Sequence, residues 1–288
     1  MAHTVSPTAE RGELVRSLGV LCERPDASHV RLARWLGLPP PDPAAHTELF
    51  VHQLPPLASI FLDHQGMIGG EARDLVAGFW RALHITPPVE PDHLASLLGL
   101  SASLSGAADE ERSPERRKIF EHSHQALTWE HLVSWLVPYL TRMEELADET
   151  YRSWAQLLGL VLNDELKGVG VFDPPSLLFA APETEFDSVD SMVGYILSPV
   201  RSGIVLTRAD LHRASVDMSL GRRIGERAFT MKALMDQDRR LVIDWLATEA
   251  VRQAEVFASS KIHDEIAQIW AQKARQTAIR LREIPRRP

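Results

Sequence analysis

The stretch GGEARDLVAGFWRALH, residues 69–84, sets the fold class. Ala72, Leu75, Val76, Phe79, Trp80 and Leu83 recur at steps of three and four, while Glu71, Arg73, Asp74 and Arg81 lie mostly off that stripe. A period near 3.6 residues predicts an amphipathic helix over 69–84. The same signal returns on the N-terminal side. Leu14, Leu18 and Leu21 form one short stripe, and Val30, Ala33 and Trp35 to Leu38 form another after a break at Pro25-Asp26. Pro39, Pro40, Pro41 and Pro43 then stop helix formation, because each lacks an amide donor and biases its predecessor toward extended backbone.

On the C-terminal side, Ile85-Thr86-Pro87-Pro88-Val89-Glu90-Pro91 is a second break, and Asp92 reads as the N-cap of a helix carrying Leu94, Leu97, Leu98 and Leu100. Gly106 to Arg117 reads as an exposed turn. Trp129, Leu132, Val133, Trp135, Leu136, Tyr139 and Leu140 form a buried stripe that Pro138 is expected to bend or end. Met143 to Leu166 reads as one long helix. Lys167 to Asp190 holds three prolines and no sustained period, and is expected to be a linker. Beyond it, Thr207 and Asp210 have capping-box spacing. Leu211–Met218, Ile224–Met235, Leu241–Phe257 and Ile262–Leu281 read as four further helices. The best strand candidate, Ser202 to Leu206, reads equally well as an extended connection. The expectation is an all-α bundle with a helical domain over 1–166, a linker over 167–190 and a C-terminal helical domain over 191–288.

Composition narrows the function classes. The 288 residues are 44% hydrophobic and 24% charged, enough for one large or two smaller domains. Asp and Glu number 39 against 31 Lys and Arg, a formal charge of −8, so the general attraction to nucleic-acid phosphate is missing. Cys22 is the sole cysteine, which excludes an intramolecular disulfide and a cysteine-rich metal site within one chain. The N-terminal residues lack a basic region followed by an apolar one, and nothing approaches the roughly 18 apolar residues of a membrane span. A soluble, cytoplasmic protein is expected.

Catalytic patterns are weak. Gly66-Met67-Ile68-Gly69-Gly70 lacks the features of a phosphate-cradling loop and reads as a turn. His122 and His124, two apart, point to different faces of a helix, and with His131, Glu121 and Glu130 they form no HExxH pattern. No GxSxG elbow occurs, and Cys22 sits beside Leu18 and Leu21 as a buried thiol would. No catalytic residue, metal or cofactor is expected. One alternative rests on charge: between Arg201 and Arg240 basic residues outnumber acidic ones nine to five. LTRADLHRASVDMSLGRRIGERAF, residues 206–229, can be drawn as a DNA-binding helix-turn-helix of a transcriptional regulator, spanning about 206–230. It lacks interspersed Asn or Gln base readers, and a solvated arginine face paired with acidic N-terminal residues is the competing reading.

Three stretches carry a resemblance. They are Leu54-Pro55-Pro56-Leu57-Ala58-Ser59-Ile60-Phe61-Leu62 with Gly66 to Ala72 and Phe79 to Leu83; Glu90-Pro91-Asp92-His93-Leu94; and Trp129-Glu130-His131-Leu132 with Trp135 and Tyr139. In this order they resemble the TorD/DmsD/NarJ family of cytoplasmic molybdoenzyme chaperones, over about Arg11 to Leu166. The resemblance implies an all-helical, TorD-like bundle without enzymatic turnover. Such a protein binds the N-terminal region or twin-arginine signal of an apo-molybdoenzyme catalytic subunit and protects that subunit until its cofactor is inserted. Where the family often has Glu-Leu-x-Phe-Met after the E-P-D-H motif, this chain has Ala95-Ser96-Leu97-Leu98-Gly99-Leu100. The C-terminal region is also longer than a compact member needs.

The residues expected to meet the partner are Trp80, Glu90, Pro91, Asp92, His93, His131 and Trp135. Prolines 87, 88 and 91 would stiffen a hinge and keep Glu90, Asp92 and His93 near the surface, where carboxylates accept hydrogen bonds from guanidinium groups. Trp80 would receive the apolar part of a peptide. The competing reading is structural: Asp92 caps, His93 packs on the first turn, Trp80 is core, and His131 and Trp135 share a face at i, i+4. The proline-rich linker also permits helices to swap in a homodimer.

Overall fold

The computed structural model describes residues 7–167, 173–179 and 186–284. Among them the chain is all-α, and the lone bridge between Leu57 and His93 is the only sheet-like pairing. The order is α1 (Pro7–Val20), α2 (Ala27–Trp35), α3 (Pro43–His46) running into a π-helical segment Thr47–Gln53, α4 (Ala58–Leu62), α5 (Gly70–Ala82), α6 (Leu94–Glu110) and α7 (Pro114–Ala126). A second π-helical segment, Leu127–Val133, leads to α8 (Ser134–Leu146) and α9 (Glu149–Leu166). A 3₁₀ turn Ser176–Leu178 precedes α10 (Val189–Ile196), α11 (Pro199–Ser202), α12 (Arg208–Asp217), α13 (Arg227–Ala258) and α14 (Asp264–Glu283). No described helix is long and apolar enough to cross a membrane.

Several expected boundaries move, each for a physical reason. The polar stretch after Gly106 is mostly helical: α6 runs to Glu110, and Ser113 then caps α7, its hydroxyl accepting from the Arg116 amide at 3.4 Å. Pro138 does not end α8. Its missing amide frees the Ser134 carbonyl, which accepts the Trp270 indole N–H at 3.0 Å instead. The expected helix Met143–Leu166 is interrupted at Ala147, because the Asp148 carboxylate accepts from the Tyr151 amide at 3.0 Å and starts α9. Ile224–Met235 and Leu241–Phe257 run together as α13, kinked at Asp238, whose side chain caps the second stretch through the Leu241 amide at 2.9 Å. The Thr207 and Asp210 capping box forms as its spacing indicates. Ser202–Leu206 ends α11 and continues as an extended connection. Of the proposed linker, residues 168–172 and 180–185 lie outside the described residues; within it Leu178 is buried.

Two apolar clusters organise the chain. The first gathers α1, α6, α8 and α9 around Leu18, Phe61, Trp135, Tyr139 and Trp154. The second gathers α10, α12 and α13 around Met192, Ile196, Met231 and Leu246. Helix α14 serves both: Ile266 and Trp270 enter the first cluster, Ala278 and Leu281 the second.

Between the clusters lies a buried ionic network. One Arg142 nitrogen reaches both Asp210 oxygens at 2.8 and 2.7 Å, and the other pairs with Glu145. Arg213 bridges Asp210 at 3.1 Å and Glu249 at 2.9 Å, and Arg252 joins Glu249 at 2.7 Å to Glu145 at 2.5 Å. Burial alone would raise the Asp210 pKa, but Arg142 and the Thr207 hydrogen bonds outweigh it and hold the carboxyl below its ordinary value. The pairs tie α8 to α12 and α13 with a geometry that removal of one partner would leave uncompensated.

Candidate functional site

Helix α5 buries Ala72 and Val76, leaves Leu75 exposed, and holds Phe79 and Trp80 half-buried, so its apolar stripe is only partly covered. His84, at a φ of 58°, closes the helix while the Ile85 amide donates to the Trp80 carbonyl at 3.0 Å. The proline-rich strap that follows is pinned at its C-terminal end. Arg73 donates to the Val89 carbonyl at 2.9 Å and the Trp80 indole to the Pro91 carbonyl at 3.2 Å.

Asp92 departs from expectation. It is 1% exposed and does not cap the helix that follows it. Its carboxylate accepts from the Ser59 amide at 3.0 Å and its carbonyl from the Ala58 amide at 3.1 Å, so it caps α4, thirty-three residues earlier. The cap of α6 is His93, whose ring Nδ1 accepts from the Ala95 amide at 3.1 Å and therefore carries its proton on Nε2. Pro91 is buried beside Asp92, His93 is half-buried and Glu90 is exposed.

His131 and Trp135 lie apart from the strap. His131, on the second π-helical segment, is buried edge-on against Phe79 with centroids 4.9 Å apart, and its Nδ1 has no hydrogen-bond partner. That burial lowers its pKa to about 4. Trp135 is 0% exposed, donates to the His131 carbonyl at 2.8 Å and packs on Phe61 and Tyr139. These two residues support the floor beneath α5 rather than lining the surface. His122 is exposed on α7, whereas His124 bonds Ser101 at 2.9 Å and faces Glu165 at 3.5 Å. Among the described residues no group of three His, Cys, Asp or Glu side chains gathers as metal ligands would.

The strap forms one wall of a cleft of about 470 Å³, lined by Pro88, Val89, Glu90 and His93. Across it stand Glu23 and Arg24, from the turn after α1, and His46, Phe50 and Val51. Glu23 and Glu90 are exposed, and Val89, 89% exposed, projects an apolar side chain at the mouth. His46 donates through Nε2–H to the Cys22 carbonyl, 3.0 Å away, and is packed on Phe50. Burial lowers the pKa of both His46 and His93, in His93 against the opposing pull of Glu90, Glu23 and Asp92. Both rings are therefore neutral near pH 7, and the charge at the mouth comes from Glu23, Glu90 and Arg24.

Sequence reading missed the opposite wall, because Glu23 and Phe50 reach the strap only through the packing of α1 against α6 and of Phe50, on the first π-helical segment, against Tyr151 and Trp154 of α9. A signal did exist: Glu23-Arg24-Pro25 is a polar break directly after an apolar stripe. Cys22, beside it, is buried with its thiol pKa raised by burial, a packing residue as its neighbours indicate. No curated relative matches the chain. The strap, α5, the first π-helical segment and the His131 floor all fall within residues 43–140, the stretch that matches the family model for the nitrate reductase delta subunit.

Proposed function

We propose that this chain is a cytoplasmic, non-catalytic chaperone for a molybdenum-containing oxidoreductase. It binds the N-terminal or twin-arginine signal region of the apo-subunit, and the immature body behind it, and holds them for cofactor insertion and assembly before export. The observation that carries this reading is the family match over residues 43–140, which covers the whole strap-and-floor assembly. The strap cleft suits the ligand chemically. Exposed Glu23 and Glu90 present acceptors for guanidinium groups, and exposed Val89 and Val51 offer apolar contact. In this reading Trp80, Pro91, Asp92, His131 and Trp135 shape and stiffen the wall, while Glu90 and His93 face the ligand.

The DNA-binding alternative finds little support in the geometry. Residues 218–226 are not helical, and the first guanidinium of α13, Arg227, is committed inward to the Leu206 carbonyl at 2.8 Å and the Gly66 carbonyl at 3.3 Å.

Calorimetric titration with a synthetic twin-arginine peptide tests the proposal, comparing wild type with Glu23→Gln/Glu90→Gln. Both positions are exposed, so the variant keeps its fold. Saturable micromolar binding that weakens about tenfold in the variant is expected. Absence of binding by wild type, together with failure to capture an apo-molybdoenzyme subunit from native lysate, would overturn the reading.

A further inference from the structure

We infer that a second surface, the trough between the two apolar clusters, docks an acidic, amphipathic peptide segment of a partner protein. The trough consists of two adjoining cavities, about 640 and 400 Å³, which share His52, Gln53 and Arg208 in their walls. Its floor is apolar, with Leu54, Phe61, Val193, Leu197, Val205 and Leu206. Its rim is cationic: Arg201, Arg208, Arg227 and Lys232 line the larger cavity and Arg222 and Arg223 the smaller. Glu48, Asp190 and Glu226 are the carboxylates on that rim, so the local balance is positive on a chain whose formal charge is −8. These cations come from the basic stretch Arg201 to Arg240 that stood out in the sequence.

The walls are built rather than incidental. The Gly66 turn rides directly on the end of α10: at a φ of 61°, a Cβ there would collide with the Leu197 carbonyl oxygen. Ser198 donates to the Asp63 carbonyl at 3.1 Å and Arg201 to the His64 carbonyl at 3.4 Å, stitching the same edge. On the far side the loop after α12 is clamped to α13. Gln237 bonds both the amide and the carbonyl of Gly221, at 2.8 and 2.7 Å, and Thr230 donates to the Arg223 carbonyl at 3.1 Å. The cations are unequal. Lys232 is neutralised by Asp190 at 2.7 Å and Arg227 is committed to carbonyls, whereas the Arg201 Nε is buried in this wall with no partner. Arg208, Arg222 and Arg223 are exposed.

Apolar side chains mark both openings. Met67 and Ile68 are 62% and 67% exposed beside the larger cavity, and Ile224, 88% exposed, stands at the smaller. A trough with an apolar floor, apolar openings and a cationic rim complements a segment that alternates carboxylates with Leu, Met or Phe. Duplex DNA would need a projecting element to enter its groove, whereas these cations line a recess. The assignment is independent of the strap cleft, whose exposed carboxylates select the opposite charge.

Fluorescence anisotropy with the full chain tests it. The probes are a fluorescein-labelled peptide of repeating Glu-Leu-Glu-Phe units, its Lys-for-Glu counterpart, and a labelled DNA duplex. The acidic peptide is expected to bind, with affinity falling as salt rises, and neither other probe is expected to compete with it. Arg208→Glu/Arg223→Glu should weaken that binding at least tenfold, and Ile224→Asp should weaken it with the arginines intact. All three positions are exposed, so thermal melting monitored by circular dichroism should not change. Glu90→Gln should leave it unaltered. Failure of the acidic peptide to bind, equal binding by the charge-reversed variant, or tighter binding of the duplex would each overturn the inference.

Discussion

The strap cleft and the inter-cluster trough are built by opposite means. The cleft is assembled from backbone caps and a proline-stiffened strap: Asp92 holds α4, His93 holds α6, and the Trp80 indole holds Pro91. Its exposed carboxylates are free of structural duty. The trough exists only where the two clusters meet, and the ionic network through Arg142 and Asp210 sets how α8 lies against α12 and α13. One region is held by helix caps and backbone hydrogen bonds; the other is positioned by charge pairing between side chains of separate helices. Net charge describes neither, since a chain at −8 presents carboxylates at one recess and arginines at the other.

The contrast can be broken most forcefully at its ionic centre. Asp210→Ala leaves Arg142 buried with only Glu145 to answer it, and should cost about 3 kcal/mol or more of unfolding free energy in urea. Docking at the trough should suffer with it. Retention of full stability would show that the network is not what fixes the trough.

A smaller effect is expected at His131, beneath α5. Its folded pKa of about 4 lies below the ordinary 6.5, so between these values the unfolded chain takes up a proton that the folded chain refuses. Its stabilising contribution is therefore complete above pH 6.5 and declines as pH falls toward 4, by about 2–3 kcal/mol. Comparing wild type with His131→Leu at pH 7 and pH 4.5 separates the imidazole's contribution from other titrations, and the variant should lose less. Equal losses would assign the acid sensitivity elsewhere.

Asp92→Ala should cost about 1–2 kcal/mol by removing the α4 cap, and its peptide affinity should fall only as far as the strap loosens. Glu23→Gln/Glu90→Gln should change stability by no more than about 0.5 kcal/mol while carrying the main loss of basic-peptide affinity. Thermal melts alongside calorimetry separate the two. If Asp92→Ala lost affinity with unchanged melting, the division between capping and ligand-facing carboxylates would be reversed.

Periodicity was a good guide wherever a helix buries one face, as over residues 69–84, and the Thr207–Asp210 spacing found its capping box. It failed where a distant partner altered a local rule. Pro138 reads as a helix end until Trp270 supplies a donor for the carbonyl it frees, and a sequence window around Pro138 does not contain Trp270. Asp92 reads as the cap of its own helix because that helix follows at once, yet tertiary packing brings the α4 amide of Ser59 to it. Asp148 was hidden inside an unbroken stripe whose two halves belong to different helices. At the candidate site Glu90 was legible as an exposed carboxylate beside a stiff proline strap. Glu23 was legible only as part of a polar break and Phe50 not at all, since nothing in their own neighbourhoods points toward residues 88–93.

The indole of Trp270 has a temporal meaning too. It fills the first cluster and takes the Ser134 carbonyl, yet it is synthesised 136 residues after its partner. A nascent chain that has completed α9 still carries an unanswered carbonyl and an empty indole seat beside Pro138. Closing so long a loop is entropically costly and slow, so the first cluster reaches its final packing only once α14 is made, the same helix that completes the second through Ala278 and Leu281. The region matched to a known family thus completes its packing through a residue outside it.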